Sequence, residues 1–341
     1  MLEFAKRPPA SLADIFEESA ARRGIARVII EKDFWVCFTL LQLFTAPELK
    51  DHLVFKGGTS LSKAFGIIHR FSEDIDLSVD PAWLGITPQT DPDRAASRTQ
   101  REKRWKKLES LCIEAVKDRV LPILEQRIRE ALGESTRGAV HLEYKIDPTT
   151  NSPVVNFLYP TTRADEGYIE AAVKLEFGAL TDQRPTGSHQ ITPWVAEDFP
   201  ELFGMRSTLA VVLEAERTFW EKATILHSEF HRPANRPMRS RHSRDLYDLV
   251  ALSNHEAGKR ALLDRALMER VVDFKDRYFR SSWSNYEAAR LGTFRIMPPD
   301  HRLPELRADY RQMGPMFLES PPSFDELIDH LRRIEKLINN E

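Results

Sequence analysis

Apolar residues recur at helical spacing through the first forty-five positions. Ser11, with Asp14 three residues on, reads as a capping-box start after Pro8-Pro9, and the amphipathic pattern runs to about Arg23 before Gly24. A second helix is predicted over Val28 to Phe44. His52-Leu53-Val54-Phe55-Lys56 is short and β-prone and ends at Gly57-Gly58, a strand running into a glycine turn from which Thr59 through Phe65 can start a helix. From Asp74 to Val79 the pattern alternates, with Asp74, Asp76 and Ser78 on one face and Ile75, Leu77 and Val79 on the other. That is the periodicity of a strand.

Farther along, Thr87 to Ser97 is polar and reads as a loop, and a long charged helix is expected over about Gln100 to Leu132, kinked or divided at Pro122. Three β-like stretches follow, near Ala139 to Ile146, Pro153 to Tyr159 and Tyr168 to Phe177. After about Leu213 the chain turns helical, with helices expected over Glu216 to His231, Ser243 to Ser253, Lys259 to Tyr278, Pro304 to Met313 and Phe324 to Asn339. The economical organisation is an α+β domain over residues 1–213 followed by a mainly helical domain over 214–341.

Composition narrows the function classes. The 341 residues carry 49 Lys+Arg against 52 Asp+Glu, a net charge of −3, so any nucleic-acid contact must come from a local basic patch. Cys37 and Cys112 make neither a disulfide framework nor a metal knuckle and are expected to be buried and inert. The longest apolar run, Phe34 to Phe44, is interrupted by Thr39 and Gln42 and falls short of the ~20 residues that a membrane span needs. The N-terminal residues lack an apolar signal core. A cytoplasmic protein without a membrane partner is the expectation.

Gly57 and Gly58 allow backbone N–H groups, with the hydroxyls of Thr59 and Ser60, to face an anion; the competing reading is a packing turn. No Walker loop surrounds them. Sixteen residues beyond Gly58 begins Asp74-Ile75-Asp76, two carboxylates on one strand face about 7 Å apart at a rise of ~3.4 Å per residue. Such a pair needs a cation. Magnesium with phosphate oxygens is the natural candidate, and an exposed strand face or salt bridges to Arg70 and Lys63 the alternative.

Strand, Gly-Gly, helix and Asp-x-Asp strand in that order resemble the nucleotidyltransferase fold shared with DNA polymerase β, and the fold class expected is α+β with a mixed sheet. The resemblance implies that the glycine turn holds a triphosphate, that Asp74 and Asp76 hold metal, and that a third carboxylate comes from a neighbouring strand. Glu176 is the candidate, beside Lys174 on the polar face, with Glu170 competing.

The C-terminal half adds Lys222 within an apolar helix pattern, which must snorkel or meet an anion. Arg232 to Arg244 holds five arginines, Arg239 and Arg241 among them, and no acid; Arg241, Arg244, Asp245 and Asp248 then share one helical face. Arg98, Arg101, Lys103, Arg104, Lys106 and Lys107 surround Trp105, the chemistry that tracks a phosphate backbone and stacks a base; a solvated helix face is the alternative.

Four segments taken in order resemble the AbiEii/AbiGii nucleotidyltransferase toxins of toxin–antitoxin and phage-defence loci. They are Glu31-Lys32-Asp33-Phe34-Trp35-Val36, Phe55 to Lys63, Arg70 to Leu77, and Phe219-Trp220-Glu221-Lys222 with Arg244-Asp245-Leu246-Tyr247-Asp248-Leu249. The resemblance implies transfer of nucleotides from an NTP to RNA, with tRNA 3′ ends as the substrate of relatives, magnesium as cofactor and a co-encoded antitoxin as partner. By position, Gly58 and Ser60 contact triphosphate, with Gly57, Thr59 and Lys63 beside them. Asp74 and Asp76 bind magnesium, Lys222 binds nucleotide phosphate, and the acid of the last motif is Asp245 or Asp248, with Asp245 preferred. Arg101, Arg104, Trp105, Arg239 and Arg241 are the candidate RNA contacts. The alternatives are nucleotidylation of a protein or small molecule, and a catalytically silent RNA- or partner-binding module. No motif marks residues 255–341.

Overall fold

A computed structural model describes residues 1–133, 141–162, 170–179 and 182–340. After the short helix α1 (Leu2–Ala5), α2 (Pro9–Arg23) begins directly on the proline pair. Ser11 therefore lies inside the helix and caps nothing, because proline at the first position already supplies the helical φ. The helix stops at Gly24, whose φ of 67° closes it in the left-handed region. Helix α3 (Arg27–Phe44) is buried at every position from Ile29 to Phe44. It is a core helix, and its charged residues have to find partners inside the protein.

The chain then forms β1 (Leu53–Lys56), α4 (Gly57–Lys63), β2 (Ile75–Val79), α5 (Arg98–Ala115) and α6 (Leu121–Leu132). Pro122 does not divide the long helix. A single π turn, Val116–Val120, joins α5 to α6 just ahead of the proline, whose missing N–H and ring need extra room in the preceding turn. Strands β3 (His141–Ile146), β4 (Pro153–Leu158), β5 (Ala172–Ala179) and β6 (Thr186–Ile191) follow, then α7 (Trp194–Asp198) and β7 (Thr208–Leu213). The expected strand starts at residues 139–140 and 168–169 lie outside the described residues.

Seven strands form one mixed sheet in the order β3-β4-β5-β2-β1-β7-β6. The central strand β2 runs antiparallel to β1 and parallel to β5, with Ile75, Leu77 and Val79 fully buried. Strands β6 and β7 were not expected. Thr-Gly-Ser-His-Gln-Ile is too polar to announce itself, and as an edge strand it needs only one partner.

The second half is helical: α8 (Ala215–Phe230), α9 (Ser243–Asn254), α10 (Glu256–Leu263), α11 (Arg265–Tyr278), α12 (Leu303–Gln312) and α13 (Phe324–Asn339). The single helix expected over Lys259 to Tyr278 is two, divided at Asp264, whose side chain accepts the Leu267 N–H and caps α11. A full capping box, Ser323 with Glu326, opens α13.

Two compact units result. One holds Met1–Ala64 with Glu73–Leu213, and the other holds Phe65–Ser72 with Glu214–Glu341. Cys37 and Cys112 are buried free thiols, and burial pushes both thiol pKa values up. Among the described residues no helix is long and apolar enough to cross a membrane.

Candidate active site

The first unit carries the glycine turn and the acids. Strand β1 passes straight into α4 at Gly57, whose φ is +82°, a conformation that side chains other than glycine rarely adopt. Pairing of Lys56 with Asp76 brings the Asp76 carboxylate over the turn, so close that a Cβ on Gly57 would lie 2.0 Å from its Oδ2. Gly58 is half-buried beside it. Thr59 Oγ1 donates to the Asp74 carbonyl at 2.5 Å and Ser60 Oγ to the Gly57 carbonyl at 2.8 Å. Both hydroxyls thus bond to main-chain carbonyls, and the Thr59 bond ties the turn to the approach of β2.

Asp74 immediately precedes β2 and Asp76 lies within it, register-paired with Glu176 on β5. Burial, then the neighbouring charges of Asp76 and Glu73, push the Asp74 carboxyl up to about 6, with Lys174 opposing and Glu176 adding. Glu176 and Lys174 form an ion pair across the same strand face. Glu170 is exposed and ahead of the strand, so Glu176 is the acid that joins the cluster. Glu73, Asp74, Asp76 and Glu176 cluster here, with Lys32 on Glu73 and Lys174 on Glu176. Two carboxylates one strand period apart are a donor pair that suits a divalent ion. Among the described residues no three metal-ligating side chains converge into a ready cage, so an ion held by Asp74 and Asp76 would complete its shell with substrate oxygens and water.

Lys63 does not meet these acids. Its ammonium, 5% exposed, pairs with Asp33 at 2.7 Å and lies 4.6 Å from the centre of the Trp194 ring. Arg70 does not meet them either, because it pairs with Asp248.

In the second unit, Lys222 on α8 contacts Asp245 Oδ1 at 2.6 Å and Asp248 Oδ2 at 3.0 Å, both from α9. Asp248 is fully buried and accepts two further bonds from Arg70, Nε to Oδ1 at 2.8 Å and Nη2 to Oδ2 at 2.7 Å. Asp245 is 14% exposed and faces His242 Nδ1 at 3.2 Å through its other oxygen. Burial works against ionisation of Asp245, but Lys222 and His242 hold its carboxyl well below the usual range. Burial likewise opposes the Lys222 charge, and Asp245 with Asp248 holds its pKa above the usual value. Both acids are bonded through both oxygens, and of the two Asp245 keeps the greater exposure. Arg70 and His242 were not assigned to this cluster from sequence; His242 sits three residues before Asp245 and was legible there, whereas Arg70 is 178 residues from its partner.

The candidate RNA contacts belong to different units. On α5, Arg104 donates to the Asp91 carbonyl at 2.8 Å, Trp105 Nε1 donates to Glu109 at 2.9 Å, and Arg101 is half-buried. Lys103, Lys106 and Lys107 are exposed. In the second unit Arg239 and Arg241 are exposed, and the Arg241 N–H donates to Asp309 at 3.0 Å.

A glycine turn abutting an Asp-x-Asp strand at the centre of a mixed sheet is the arrangement that the resemblance to nucleotidyltransferases implies. The family model described as nucleotidyl transferase AbiEii toxin, type IV toxin–antitoxin system, matches residues 39–330, and the chain belongs to that family. It is therefore a nucleotidyltransferase toxin with a nucleotide substrate and an antitoxin counterpart. Among solved structures it is similar to the nucleotidyltransferase toxin MenT4 of Mycobacterium tuberculosis, at 17% identity and a TM-score of 0.41 over 96% of this chain and 97% of that one. No curated protein sequence matches the chain.

Proposed function

We propose that the protein is a cytoplasmic, magnesium-dependent enzyme that transfers a nucleotide from an NTP to the 3′ hydroxyl of RNA, a tRNA 3′ end, and so arrests growth. The 3′ oxygen bonds to the α-phosphorus, the bond to the β-bridging oxygen breaks, and pyrophosphate leaves. The observation that carries the reading is the Asp76 carboxylate seated against Gly57, with Asp74 beside it.

Asp74 and Asp76 would hold magnesium, which when bound supplies charge neutralisation for the triphosphate and acidifies the attacking hydroxyl. Gly57 leaves the space that the Asp76 carboxylate fills, and Thr59 fixes the backbone of Asp74. Glu176, paired with Lys174, keeps the negative field at the site without adding a full uncompensated charge. Lys222 serves nucleotide phosphate and Asp245 orients its ammonium. Arg101, Arg104, Trp105, Arg239 and Arg241 serve the RNA.

The test is to incubate purified protein with total tRNA and each α-labelled NTP in turn, with and without magnesium, and to resolve products at single-nucleotide length. Magnesium-dependent lengthening of tRNA is expected, and Asp76→Ala, still folded, should abolish both transfer and growth arrest. Full activity in that variant removes the metal assignment. RNase-resistant label on protein would replace RNA as the acceptor.

A further inference from the structure

Lys32 lies on the buried helix α3, and its side chain is 4% exposed. Its ammonium donates to Glu73 Oε2 at 2.5 Å and to the Glu170 backbone carbonyl at 3.1 Å. Glu73 is the residue before Asp74, and Glu170 lies just ahead of β5, the strand that bears Glu176. One ammonium therefore gathers the approaches to both acid-bearing strands, from positions 41 and 138 residues away along the chain. The next residue, Asp33, holds Lys63 at the end of α4 and accepts the Trp194 N–H at 2.8 Å. Taking a lysine and a carboxylate out of water costs several kcal/mol per ion, so this brace is an expensive feature of the core. Both residues precede the stretch that the family model matches.

We propose that Lys32 is a positioning residue for nucleotidyl transfer: by clamping Glu73 and the Glu170 carbonyl it holds β2 and β5 in the register that keeps Asp74, Asp76 and Glu176 in one cluster. The proposal rests on the reading of Asp74 and Asp76 as magnesium ligands. Lys32 acts through the Glu73 carboxylate and the Glu170 carbonyl, at the entries to the two strands.

The experiment compares wild type, K32R, K32M and K32M/E73Q for the magnesium concentration that half-saturates transfer, the KM for NTP at saturating magnesium, and thermal unfolding. Loss of a group that orients a metal ligand weakens metal binding about 10- to 100-fold, and K32M is expected to raise the half-saturating magnesium by that factor. The NTP KM should stay within about twofold, because the clamp contributes nothing to uniform substrate binding. K32R should recover most of the loss. K32M/E73Q, which removes both charges of the pair, should unfold near the wild-type temperature and still need the higher magnesium. A folded K32M or K32M/E73Q protein with wild-type half-saturation overturns the clamp while leaving the magnesium site standing. Transfer by wild type that ignores magnesium overturns the site itself.

Discussion

The Asp76 carboxylate occupies the volume that a side chain on Gly57 would need: an added Cβ would come within 2.0 Å of Oδ2 and 2.9 Å of Cγ. Gly57→Ala must therefore either swing Asp76 away or distort the turn, and the φ of +82° adds backbone strain of about 1–3 kcal/mol. Transfer should fall by about 100-fold or more, since small displacements of a reacting geometry have effects of that order. Gly66 has a φ of +62° with open space around it, so Gly66→Ala carries the strain without the clash and should keep its transfer rate. Steady-state transfer and thermal melts of the two variants separate the effects.

Asp74 should set the acid limb of the reaction. Its folded-state pKa of about 6 lies above the ordinary 3.8, so the folded protein binds a proton more tightly than the unfolded chain. The stability this acid contributes is complete below pH 3.8 and is lost as pH rises through about 6. A divalent ion needs the carboxylate, so at sub-saturating magnesium the transfer rate should climb through the same window, and magnesium binding near pH 6 should release protons. Calorimetry in buffers of different ionisation enthalpy measures that release, and Asp74→Asn should abolish it.

Arg70 and Asp248 form a bidentate pair with side chains 3% and 0% exposed. Arg70→Met leaves Asp248 buried with Lys222 alone, and removing one partner of such a pair costs about 3–5 kcal/mol. Arg70→Lys keeps the charge but loses the planar fork, and should fall between the two. Urea unfolding ranks the three proteins, and a loss below about 1 kcal/mol in Arg70→Met would exclude a stabilising role for the pair.

His227, fully buried on α8, is locked as a neutral imidazole: Nδ1 accepts the Arg295 N–H at 3.0 Å and Nε2 donates to the Asn285 carbonyl at 3.0 Å. Burial is the main cause of a pKa lowered to about 4. Here the unfolded chain binds the proton more tightly, so the stability is present above pH 6.5 and is lost as pH falls through about 4. The drop amounts to roughly 3 kcal/mol, opposite in sign to the Asp74 effect. Urea unfolding from pH 7 to 4 should show that slope in wild type and lose it in His227→Gln.

Helix α2 with its Gly24 stop, the central strand Ile75–Val79 and the terminal helix Phe324–Asn339 were legible because each satisfies a local rule: a left-handed glycine, a period of two, an amphipathic stripe. The Asp264 cap is equally local, a carboxylate accepting the N–H three residues on. Strand β6 was not legible, since a polar edge strand is specified by its neighbour rather than by its own residues; β7, apolar and internal, carries strand-forming residues but is too short a run to be told from a buried helix segment by periodicity. The excursion of Phe65–Ser72 into the second unit has no signature in periodicity at all.

What the residues determined alone was the order of chemical parts: glycines at a strand end, two aspartates one strand period apart, a lysine in an apolar helix. Which ion meets which was decided by the tertiary structure. Lys63 went to Asp33, Arg70 to Asp248 and Lys32 to Glu73. The reason is range: dihedral preference and side-chain period act over a few residues, whereas a buried charge is settled by whichever opposite charge the packed core brings within hydrogen-bond reach.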